Sequence, residues 1–222
     1  MIFFAAAEAP VKNENMLLNN LIMAKNMCEV LKKKKPSFFL YLSSDAVYSD
    51  TKKKIHEDSL TVPDSLHGIM HLTREKMFEN LIKSKLCIVR PTLVYGDGDP
   101  HNGYGPNRFI RLIKEKEKIS LFGKGEELRD HVWINDVSKA ISKLIIKRKT
   151  GKFNLVTGKI ISFDNIAKQI IKVTGKKSKI FYQKRKGPMP HGGFRAFKNS
   201  RFEKIYPKFK FKLFKEVINN FY

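Results

Sequence analysis

The chain has 222 residues, of which 42% are apolar, and it carries a formal charge of +23. That apolar share supports a real core and excludes an intrinsically disordered chain, while the length suits one domain with a small appendage. Two cysteines, Cys28 and Cys87, lie in apolar runs without metal or redox spacing, which excludes a disulfide scaffold and fits a reducing cytoplasm.

The opening apolar stretch, Met1 to Ala7, is too short to span a bilayer and has no basic leader, so no membrane partner is expected. Met1–Ala6 reads as a strand and Asn13–Lys35 as a helix, with Met16, Leu17, Leu21, Met27 and Leu31 near helical spacing. Phe38–Leu42, closed by Ser43 and Ser44, reads as a buried parallel-type strand. After a polar loop, Ser65 caps a helix to about Ser84. Its predicted apolar face is Leu66, Ile69, Met70, Met77, Phe78, Leu81 and Ile82. Leu86–Arg90 is the next strand, stopped by Pro91.

Beyond it the glycine-rich stretch Gly96–Gly105 leads to Pro106 and a helix to about Lys116. Ile119–Phe122 and His131–Ile134 read as strands around a Gly123–Arg129 loop, and Asn135 is placed as the cap of a helix to about Ile146. Phe153–Val156 follows as a strand, then a helix from Ser162 to Gly175. In the basic tail, Lys179–Tyr182 reads as a strand and Phe214–Phe221 as a last helix. The alternation of strand and helix predicts an α/β fold.

The positive charge is weighed against nucleic acid. Clusters such as Lys32–Lys35, Lys52–Lys54, Lys147–Lys149 and Lys184–Lys186 are spread along the whole chain. No zinc spacing, aromatic RNA-binding signature or basic heptad goes with them, which argues against a nucleic-acid partner. A positive surface would also attract an anionic diphosphate.

Four segments, in order, resemble the NAD-dependent epimerase/dehydratases, an extended short-chain dehydrogenase family. They are Leu40-Tyr41-Leu42-Ser43-Ser44-Asp45-Ala46-Val47-Tyr48; Arg90-Pro91-Thr92-Leu93-Val94-Tyr95-Gly96; Gly123-Lys124-Gly125 with Arg129-Asp130 and Asp136-Val137; and Phe153-Asn154-Leu155 with Gly158. The resemblance implies NAD or NADP as cofactor and a nucleotide-linked sugar as substrate, with a homodimer possible. It makes Ser44 the hydroxyl that bonds the reacting sugar oxygen, and Arg129 the grip on the diphosphate, with Asn107 a weaker candidate. A planar guanidinium suits phosphate oxygens, though an ion pair with Glu127 or Asp130 would also explain Arg129. It further implies that Ala5 and Ala6, at the end of the first strand, let backbone approach the cofactor, while Pro91 and Val94 face the nicotinamide.

The family's catalytic pattern is Tyr, three residues, Lys. The matching stretch here is His67-Gly68-Ile69-Met70-His71. Three readings stay open: a modified acid–base pair, since histidine titrates near neutrality; a relative without catalysis that binds sugar nucleotides; and a metal site from two histidines on one helix face. No third ligand is apparent and no metal is expected. His101, His131 and His191 read as ordinary loop or strand histidines.

The resemblance also implies a glycine-rich first turn that cradles pyrophosphate on a helix terminus, and nothing like it precedes Met1. The expected architecture is therefore an incomplete doubly wound, Rossmann-like parallel sheet at 1–105, its first βαβ units absent. A small carboxy-terminal α+β substrate-binding region follows at 106–222, interleaved with the last sheet elements. Dinucleotide binding is expected to be impaired, and activity reduced, in a chain read as truncated.

Overall fold

The structure is a computed structural model that describes residues 1–99, 102–175 and 179–221. Its first half contains β1 (Ile2–Phe4), α1 (Glu14–Lys33), β2 (Phe39–Leu42), α2 (Leu66–Ile82), β3 (Leu86–Pro91), β4 (Leu93–Tyr95) and α3 (Pro106–Lys114). There follow β5 (Ile119–Phe122), β6 (Leu128–Trp133), α4 (Ile134–Ile146), β7 (Gly151–Leu155), β8 (Ile160–Ser162) and α5 (Phe163–Thr174). The tail adds β9 (Ile180–Gln183), β10 (Phe194–Arg195), α6 (Ser200–Ile205) and α7 (Phe214–Val217). His101, one of the histidines assigned to a loop, lies outside the described residues.

The main sheet has the order β1-β2-β3-β7, all parallel. Side chains alternate across a strand, so β2 buries both of its faces. Phe39 and Tyr41 meet Ala24, Cys28 and Leu31 of α1 and Phe78 and Ile82 of α2. Phe38 and Leu40 meet Val137, Ala140, Ile141 and Leu144 of α4 on the other side. Helices thus cover both faces of a parallel sheet, as the continuous apolar runs of β2 and β3 require. This is the doubly wound, Rossmann-like arrangement that the strand–helix alternation predicts.

The rest of the chain builds a smaller unit. β4 and β10 flank β6 in parallel, β8 pairs β6 antiparallel, and β5 pairs β9. Beside these strands Phe109, Ile113, Leu121, Trp133, Phe163, Ile170, Phe214 and Phe221 form a separate core.

Of the three expected capping residues two hold: Ser65 accepts from the Gly68 N–H at 3.2 Å and Ser162 from the Asn165 N–H at 3.1 Å. Asn13, read only as the start of its helix, also caps, accepting from the Met16 N–H at 2.9 Å. Asn135 is not a cap. β6 runs straight into α4, so Trp133 takes the N-cap position and Asn135 falls inside the first turn. The supposed loop before His131 is also shorter than expected, because Leu128–Asp130 pairs with β8.

α2 departs most from its apolar pattern. Ile69 is exposed, while Gly68, His71, Arg74 and Glu75 are buried with Met70, Phe78 and Ile82. Arg74 donates to the Ala6 carbonyl at 2.8 Å and to the Asn20 carbonyl at 2.6 Å, pinning the chain after β1. Glu75 accepts from Arg90 Nε at 2.8 Å and from Ser43 Oγ at 2.6 Å. Buried charges persist only when paired and hydrogen-bonded in this way.

Candidate active site

A cleft of about 560 Å³ opens at the carboxyl ends of β2 and β3, lined by Ser44, His67, Thr92, Leu93, Val94, Arg129, His191 and Arg195 among others. Ligands of open α/β sheets bind at such strand ends. A larger hollow of about 880 Å³ lies near Leu86 and Gly151, where β3 and β7 begin. Its charged side chains include the mutually paired Lys76, Lys152 and Glu79. The smaller cleft brings together more unlike chemical groups, so we take it as the site.

Ser44 starts a single 3₁₀ turn, Asp45–Val47, where its Oγ accepts from the Ala46 N–H at 3.2 Å. That bond leaves the hydroxyl proton free to donate. His67 sits in the first turn of α2, with Nδ1 3.5 Å from the Val11 backbone nitrogen. Burial lowers its pKa, opposed by the nearby Asp45 carboxylate, so the ring is neutral at pH 7 and able to take a proton.

Gly68 is what lets α2 come this close. A Cβ there would lie 2.2 Å from the Ala46 carbonyl oxygen. The glycine carries no motif by itself, and only the packing of helix against turn reveals its role.

His71 is placed differently. It is 5% exposed, does not line the cleft, and its Nδ1 lies 2.7 Å from the Tyr41 hydroxyl. Burial drives its pKa well down, with His67 and Arg74 adding to the effect. Among the described residues no group of three His, Cys, Asp or Glu could hold a metal ion.

Arg129 is buried at the cleft wall. It donates to Glu127 Oε2 at 2.7 Å, to the Leu128 carbonyl at 3.0 Å and to the Pro190 carbonyl at 2.6 Å. Its ion-pair partner is thus Glu127. Asp130 instead accepts from Thr157 Oγ1 at 2.6 Å and from the Gly158 N–H at 2.8 Å. Glu127 also pairs with Arg185. Asn107 lies outside the cleft, where its Oδ1 accepts from the Gly96 N–H at 3.0 Å.

The cofactor candidates divide as well. Leu93 and Val94, 42% and 40% exposed, give the cleft an apolar wall that would suit a nicotinamide ring. Pro91 ends β3 behind them and is buried. Ala5 and Ala6 are exposed beyond β1, outside the cleft lining. The residues fit a pyrophosphate less well. The 96–105 segment does join β4 to α3, but α3 begins on Pro106, which has no N–H, and Asp97 and Asp99 lie in the segment.

Comparison with known proteins decides the family. The model of the NAD dependent epimerase/dehydratase family matches residues 2–156. The chain belongs to that family. Among solved structures, a putative epimerase from Burkholderia cenocepacia is 18% identical with a TM-score of 0.82, over 98% of this chain and 72% of that one. UDP-glucuronic acid 4-epimerase from Bacillus cereus, in complex with NAD, is 20% identical with a TM-score of 0.80, over 95% and 69%. dTDP-glucose 4,6-dehydratase from Bacillus anthracis, also in complex with NAD, is 18% identical with a TM-score of 0.83, over 98% and 70%. At these identities the structures show a shared fold. No helix among the described residues is long and apolar enough to cross a membrane.

Proposed function

We propose that this epimerase/dehydratase family member acts on a nucleotide-linked sugar held in the cleft between Ser44, His67 and Arg129. The observation that carries this reading is that those three residues, from 85 positions of chain, line one cleft at the strand ends. In it, the Ser44 hydroxyl orients the reacting sugar oxygen. His67 exchanges the proton of the sugar hydroxyl at that oxygen, a task its neutral ring suits at pH 7. Arg129 offers its remaining N–H groups to the diphosphate, and rigid backbone bonds hold it ready. A bound NAD or NADP would supply hydride acceptance and return at the sugar carbon. The Leu93–Val94 wall would face its nicotinamide.

One observation favours a second reading, a sugar-nucleotide-binding protein without turnover. His71 stands where the family places its lysine, yet it is buried against Tyr41 and away from the cleft. Incubating the full chain with NAD or NADP and UDP- or dTDP-sugars separates the two. Epimerised, dehydrated or reduced product, lost by about 100-fold or more in Ser44→Ala, supports the enzyme. Thermal stabilisation by the sugar nucleotide without product supports the binder. Catalysis through His67 further predicts a rate that falls as pH drops below 6.5, because protonation of its burial-lowered ring removes the base.

A further inference from the structure

β6 carries a histidine that the cleft does not use. His131 is 3% exposed, and Phe163 stands edge-on to its ring, 5.6 Å between centroids. Among the described residues neither ring nitrogen has a hydrogen-bond partner, and nor does the buried Oε1 of Gln169 on α5. Buried polar atoms are nearly always satisfied by protein, water or a ligand. These three face one space. His131 and Gln169 line a cavity of about 140 Å³, walled by Ile160, Ile161, Leu213 and Phe214. Exposed Lys159 and Lys215 stand at its mouth. It shares no lining residue with the cleft of Ser44 and His67.

Hydrogen-bonding capacity decides what fits. Burial holds the His131 ring neutral at pH 7, so whichever nitrogen carries the proton, the ring offers one donor and one acceptor. Gln169 Oε1 adds a second acceptor. A carboxylate or phosphate brings acceptors only and leaves both of these without a donor. An ammonium brings donors only and sets a cation beside Lys159 and Lys215. A hydroxyl both donates and accepts, so a neutral molecule with several of them answers all three atoms. The apolar walls cover its carbon skeleton. Size sets the rest, since a cavity of about 150 Å³ holds benzene, about six non-hydrogen atoms.

We propose that the cavity between β6, β8, α5 and α7 is a second binding site, for a small neutral polyol held by His131 and Gln169. It stands independently of the reading of the cleft. Glycerol, titrated at pH 7 into the full chain labelled with ¹⁵N-histidine, tests it. Saturable shifts of the His131 ring nitrogens are expected, with a Kd in the millimolar range for so small a ligand, while His67 stays still. Acetate and methylammonium, which bring only acceptors or only donors, leave His131 unmoved. Gln169→Leu weakens glycerol about tenfold, as expected for one lost hydrogen bond in a buried site. Should that variant fail to fold, the Gln169 side-chain amide of the ¹⁵N-glutamine-labelled chain gives a second reading. It moves with glycerol in the native chain and not in His131→Phe. A drift that never saturates, equal shifts with acetate, or unchanged affinity in either variant overturns the inference and leaves ordered water as the partner of these atoms.

Discussion

At His131 a histidine is buried completely enough that its pKa falls to about 3. Burial is the main cause. Among the described residues neither ring nitrogen has a hydrogen-bond partner, and the Arg129 backbone lies close by but outside hydrogen-bonding geometry. A base whose folded pKa lies below its unfolded value costs nothing while both states are neutral. As pH falls below 6.5 the unfolded chain takes up the proton first, so stability declines down to about pH 3. His71, also lowered by burial, acts in the same direction. Asp130 acts oppositely. Burial raises its pKa to about 6, so its protonation stabilises the fold as pH falls from about 6 to 3.8. Urea denaturation between pH 7 and 4 should therefore show His131→Phe losing less stability on acidification than the native chain. At pH 7 the same variant should gain about 1 kcal/mol by removing unpaired nitrogens. A variant that tracks the native pH profile would contradict this account. Single residues were legible in the sequence where position alone gave the argument. Ser44 closes an apolar strand, and Arg129 follows a glycine-rich turn. The partners that orient them were not, because Arg195 reaches Asp45 across 150 positions and no local pattern records that distance.

Among the elements, α2 carries the strongest coupling between packing and site. Its amino end touches the Ser44 turn through Gly68, and its middle holds the sheet through Glu75 and Arg90. The Arg90 guanidinium also lies over the Tyr48 ring, 4.7 Å from its centroid, and Tyr48 donates to Asn154 at 2.7 Å. Glu75→Ala leaves Arg90 buried without its carboxylate and should cost about 3–5 kcal/mol in chemical denaturation. A loss below about 1 kcal/mol, the range of an exposed pair, would contradict the pairing. Gly68→Ala should act on both ends at once. The added methyl meets backbone rather than a flexible side chain, so the variant loses about 1–3 kcal/mol and weakens ligand binding as the turn moves. Calorimetry with a sugar nucleotide on the folded fraction checks the second effect. Helix periodicity identified α2 but misjudged its interior, since a 3.6-residue apolar pattern cannot anticipate charged groups that are buried because they bond the backbone and each other. β2 and β3 were plainer, being apolar on both faces. The short β4, β8 and β10 and the six-residue α6 lack enough residues to show any period.

For the whole molecule, parallel strands sandwiched between helices put their carboxyl ends on one side, and the cleft is the consequence. Arg129 of β6, Arg195 of β10 and His191 just before it share the cleft with the turn after β2, the start of α2 and β4. Alternation of elements predicted that sheet. The three-strand arrangement around β6, which brings β10 beside Arg129, depends on pairings between distant short strands and stayed hidden. The most direct test of the account maps where a sugar nucleotide sits. On adding UDP-glucose to the ¹⁵N-labelled full chain, amide shifts should concentrate at Ser44, His67, Val94 and Arg129 and weaken in Arg129→Gln. Shifts centred instead on the Lys76–Lys152 hollow, or none at saturating ligand, would contradict it.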